Sequence, residues 1–83
     1  MAQTPEDIEQ MTTALVKELV DDPEAVSSST EFEDGTVTVT YDVAADDIGK
    51  VIGRQGRIIK SIRTIARAAG SQGDMHVEVE VNG

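Results

Sequence analysis

Cysteine is absent from these 83 residues, which excludes a disulfide framework, thiolate metal ligation and a cysteine nucleophile. Tryptophan is absent too, and Phe32 and Tyr41 are the only aromatic rings. Both fall on faces that the alternation of apolar residues assigns to the core, so base stacking on an aromatic platform lacks its side chains. The single histidine, His76, alternates to the exposed side of a strand pattern, which argues against a ligand or catalytic role. No apolar run approaches membrane-spanning length, and the first residues carry no basic flank leading into an apolar stretch. The adjacent acids Asp21-Asp22 and Asp46-Asp47 stand at helix boundaries, with no base, nucleophile or metal-ligand partner at useful spacing. A cytoplasmic, non-catalytic protein is expected, without cofactor, metal or membrane attachment.

One more absence is local. Between positions 48 and 73 there is no Asp or Glu, yet six of the seven basic residues lie there: Lys50, Arg54, Arg57, Lys60, Arg63 and Arg67. A net charge of −9 by itself argues against a polyanionic partner. That segment carries +6, however, and the remainder −15, so the chain is a local basic site on an acidic body.

The length suits one domain spanning 1–83 with a modest core. Thr4-Pro5-Glu6-Asp7 has the form of a capping box with proline at the first helical position. Ile8, Met11, Leu15 and Leu19 then recur at helical spacing until Pro23, predicting a helix over 5–21. Residues 25–33 read as an edge strand with Val26 and Phe32 on one face. Asp34-Gly35 is a tight-turn dipeptide, and 36–43 alternates with Val37, Val39, Tyr41 and Val43 inward, closing a hairpin. Asp46-Asp47 is placed to cap a short helix running to Ile52. From Arg57 to Ala69 an apolar arc of Ile58, Ile59, Ile62, Ile65, Ala66 and Ala69 opposes a cationic one of Arg57, Lys60, Arg63 and Arg67. Residues 74–82 hold a final alternating strand, expected parallel to the second because a helical crossover precedes it. The fold class is α+β: a three-stranded mixed sheet covered on one face by three helices, in the order α-β-β-α-α-β.

The most informative segment is Val51-Ile52-Gly53-Arg54-Gln55-Gly56-Arg57-Ile58-Ile59-Lys60-Ser61-Ile62. Without Cβ atoms at Gly53 and Gly56, sugar and phosphate can approach the main chain, and the turn feeds the N-terminus of the following helix, where free N–H groups favour an anion. Lys50, Arg54, Arg57 and Lys60 are near enough in sequence to add charge. A P-loop reading fails because Ile59 stands where glycine should precede the lysine. An apolar pair, Gly, two polar residues, Gly, two residues and Ile-Lys-x-Ile resembles the KH family of RNA-binding domains. The element order resembles its type II form, and the run from Asp47 to Arg57 is similar to the small bacterial single-KH KhpA family. The resemblance implies a GxxG loop at Gly53, Arg54, Gln55 and Gly56 that grips about four nucleotides of single-stranded RNA, with Ile52 and Ile59 lining the groove. It further implies an RNA chaperone or post-transcriptional regulator, acting as a homodimer or with a larger KhpB (Jag/EloR)-type RNA-binding partner, with effects on cell shape and cell-wall biogenesis. The competing reading is an acidic protein-interaction adaptor that uses a KH-like fold without binding RNA.

Overall fold

The computed structural model describes residues 3–82; the extreme ends of the expected 1–83 domain lie outside the described residues. Helix α1 (Pro5–Leu19) starts on a complete capping box: the Asp7 N–H donates to Thr4 Oγ1 and the Thr4 N–H to Asp7 Oδ2, both at 3.1 Å. It stops at Leu19 rather than 21, because Pro23 biases the residue before it away from helical angles and Val20 turns extended and buries. Pro23–Ala25 then forms a single 3-10 turn, which delays strand β1 (Ser27–Glu33) to Ser27 instead of 25.

Strand β2 (Thr36–Asp42) pairs antiparallel with β1 from Ser27↔Asp42 to Glu33↔Thr36 around Asp34-Gly35, both with positive φ. Strand β3 (His76–Val81) lies parallel to β2, from Thr36↔His76 to Tyr41↔Val81, giving the order β1-β2-β3. Between them run α2 (Ile48–Ile52) and α3 (Arg57–Ser71), so the three helices and the mixed sheet appear in the expected α-β-β-α-α-β order. Alternation does its work in β2 and β3. Val37, Val39, Tyr41, Val77 and Val79 are buried against Ile8 and Val16 of α1, Val51 of α2, and Ile59, Ile62 and Ala66 of α3. Val43 packs at the margin of this core.

Two apolar residues depart from the sequence expectation. Phe32 sits opposite Val37 and shares its face, yet it is 55% exposed. Helix α1 meets β1 at Ser28 and Thr30, whose hydroxyls donate to Glu9 Oε2 at 2.9 and 2.6 Å, and Phe32 lies past that contact. Ile65 is 46% exposed, because the buried stripe of α3 runs through Ile59, Ile62, Ala66 and Gly70 and leaves its flank open. Buried polar groups are satisfied: Thr12 Oγ1 donates to the Ile8 carbonyl at 2.8 Å.

Tyr41 is fully buried, with its hydroxyl 2.8 Å from Thr13 Oγ1 and donating to the Glu9 carbonyl at 3.3 Å. Burial pushes its pKa up to about 12; the hydroxyl contact with Thr13 opposes the rise and the Glu9 charge adds to it. The folded state therefore keeps a proton that the unfolded chain releases near pH 10, and stability falls as pH rises through the interval between the two values. Thermal melts followed by circular dichroism at pH 9, 10, 11 and 12 should lose several degrees more in the wild type than in Tyr41→Phe, at roughly 4–8 °C per kcal/mol for a domain of this size.

Candidate nucleic-acid interface

Helix α2 has only five residues and ends where the Gly53 N–H donates to the Gly49 carbonyl at 2.9 Å. Gly53 then takes φ 77° and ψ 172°, a region essentially restricted to glycine. Arg54–Gly56 form one 3-10 turn closed by the Gly56 N–H on the Gly53 carbonyl at 3.1 Å. Gln55 and Gly56 both have positive φ, 58° and 73°, and this reversal lets α3 start at Arg57 directly beside α2. A side chain at Gly53 is also excluded by space, since its Cβ would stand 2.6 Å from Ile58 Cγ1.

The turn is open. Arg54 and Gln55 are exposed, and Gly53 and Gly56 are half-buried. No side chain caps the start of α3, and its first turn carries no acid. Main-chain donors and the positive end of a fifteen-residue helix are thus presented together.

The six cations of the basic segment are not equivalent. Lys50 Nζ lies 3.1 Å from Asp21 Oδ2 and 3.1 Å from Asp47 Oδ1. These contacts hold its ammonium above the ordinary lysine pKa against the cost of burial. Arg63 Nε donates to the Val79 carbonyl on β3 at 3.0 Å, and Arg67 approaches Glu78 at 3.8 Å. Arg54, Arg57 and Lys60 are exposed and form no ion pair among the described residues. The Arg57 guanidinium rests on Gln55 Oε1 at 3.3 Å. The ion-pair-free charge therefore gathers on the turn and the first turn of α3.

Three sequence expectations change here. Lys50 is engaged by the protein's own carboxylates rather than standing free beside the turn. Ile59, 4% exposed, belongs to the core beneath the turn, as does Val51; Ile52 is the half-buried residue that reaches the surface beside it. Asp47 does not cap α2: its side chain is buried and its Oδ2 accepts the Asp22 N–H at 3.1 Å. Burial opposes its ionisation, but Lys50 and the Asp22 and Asp21 N–H groups outweigh that and hold its carboxyl below the usual range. The i, i+3 spacing of Asp47 and Lys50 was the available sequence signal; the partners at Asp21 and Asp22, some 25 residues earlier, gave none.

This element order, with a glycine-flanked turn leading into the third helix, defines a type II KH-like domain. The chain belongs to the KhpA/KhpB KH-domain family, whose model matches residues 9–81. Relatives named RNA-binding protein KhpA include those of Listeria monocytogenes, 42% identical over 89% of this chain and 97% of the relative, and of Clostridium acetobutylicum, 39% identical over 89% and 99%. The protein of that name from Chlamydia trachomatis is 45% identical over 81% of this chain and 86% of its own length.

Replacing Gly53 with alanine combines a forbidden backbone angle with the Ile58 contact. It should destabilise by about 1–3 kcal/mol, measured by urea denaturation. Gly56→Ala, with its nearest atom at 3.9 Å, carries only the left-handed backbone cost of about 1–2 kcal/mol.

Proposed function

We propose that the chain is a non-catalytic single-stranded RNA-binding protein that holds a sugar-phosphate edge at Gly53, Arg54, Gln55 and Gly56. The carrying observation is the exposed, glycine-flanked turn at the start of α3, with the ion-pair-free cations Arg54, Arg57 and Lys60 gathered on it. Phosphate oxygens accept from the Arg54 and Gln55 amides while the three cations neutralise charge, and Ile52 offers an apolar surface to a neighbouring base. The names of the relatives support the same ligand class. With both rings outside the turn, affinity comes from backbone donors and charge rather than stacking.

A module gripping about four nucleotides binds weakly. Working affinity comes from a second module, so we propose a homodimer, or a complex with a larger KhpB-type RNA-binding protein, acting in the cytoplasm as an RNA chaperone or post-transcriptional regulator of cell-wall growth. The acidic adaptor reading makes no use of the exposed glycine turn or of the sorted cations.

The double substitution Arg54→Asp, Gln55→Asp changes exposed positions and sets two negative charges where phosphate must sit. Fluorescence anisotropy with a labelled single-stranded RNA should register loss of binding with an unchanged melting transition; retained affinity would support the adaptor instead. For the wild type, log affinity against log salt should fall with a slope of roughly −1.5 to −3, as two to four neutralised phosphates require on a single strand. A flat response is incompatible with a phosphate grip.

A further inference from the structure

A five-residue helix cannot hold itself: isolated helices shorter than about 12–15 residues are marginal in water. The direction of α2, and with it the position of Gly53, is set by what α2 is tied to. One tie is Val51, fully buried in the core. The other stands at its start. The Asp47 carboxylate is 3% exposed, and its two oxygens face different elements: Oδ2 takes the N–H of Asp22 from the segment after α1, and Oδ1 takes the Lys50 ammonium from α2 itself. Lys50 in turn reaches Asp21 Oδ2 and the Asp46 carbonyl, at 3.1 and 3.4 Å. The segment after α1 and the far end of one helical turn of α2 thus meet on one buried carboxylate.

We propose that Asp47 is a positioning residue for the glycine turn: with Lys50 it clamps α2 to the end of α1, so that Lys50 holds α2 rather than the RNA. The clamp lies at the opposite end of α2 from the turn, so its effect on binding is transmitted by the rigid rotation of a single short helix. Its influence on RNA rests on the proposed RNA contact, whereas its influence on the turn does not. Asp21, 83% exposed, contributes the outer side of the clamp and is screened by solvent.

The test separates holding from touching. In Lys50→Met, Asp47→Asn and the double variant, anisotropy titrations with a labelled single-stranded RNA are run at several salt concentrations, beside amide NMR spectra recorded without RNA. Lys50→Met should weaken binding about three-fold with the salt slope unchanged, and should move the amide resonances of Gly53 and of Gly56, the latter six residues beyond Lys50. Asp47→Asn keeps an acceptor for the Asp22 N–H and breaks the same ion pair. The double variant should therefore lose no more than either single one, as coupled residues do. A slope reduced by about 0.7 in Lys50→Met would mean that Lys50 meets a phosphate directly, and would overturn the proposal. Stationary glycine resonances or additive losses would also overturn it. Should Asp47→Asn fail to fold, the Lys50→Met slope and glycine shifts decide alone. If the wild type does not bind RNA, the RNA reading itself fails, and the ligand-free glycine shifts still judge the clamp.

Discussion

Everything at the turn depends on one steric condition: nothing larger than hydrogen fits between the Gly53 Cα and the Ile58 side chain. With that space closed, the chain leaves α2 at an angle available only to glycine and re-enters a helix within three residues. Ile58 packs against the core from the first turn of α3, and Ile59 beside it is buried. The apolar pair after the turn thus locks the glycine before it.

Electrostatics acts on top of this frame. A body carrying sixteen acids repels a polyanion, and the basic segment offsets this only where its cations are not already spent. Half of the six have partners in the protein's own structure: Lys50 on Asp21 and Asp47, Arg63 on the Val79 carbonyl and, at the surface, Arg67 on Glu78. The other three lie on the glycine turn and the first turn of α3. Attraction is thereby confined to a small area, and the acidic surroundings discourage contact elsewhere. Confinement of this kind suits recognition of a short single-stranded stretch better than wrapping of a long one.

The two ends of α2 carry different work. Its C-terminal end delivers Gly53, and its N-terminal end is fastened by a buried, fully hydrogen-bonded carboxylate. Such a carboxylate gives little net stability, because desolvation offsets much of its attraction. Lys50, one helical turn before Gly53, has its ammonium held by Asp21 and Asp47.

Element order, the capping box at Thr4 and Asp7, the parallel placement of β3 and the glycine turn were all legible in the amino-acid sequence. Each is governed by neighbours within a few residues or by a short repeat: backbone angles at glycine, a hydroxyl three residues from an amide, alternation along a strand. Which face Phe32 takes was legible in the same way; whether anything covers that face was not, since α1 meets β1 at Ser28 and Thr30. The fates of Lys50, Arg63 and Arg67 were equally hidden. Their partners at Asp21, Val79 and Glu78 come from other elements, and only packing of those elements decides which cations remain free. Local stereochemistry wrote the turn into the chain, whereas its electrostatic surroundings exist only once distant carboxylates and carbonyls have been brought within about 3–4 Å of the cations they occupy.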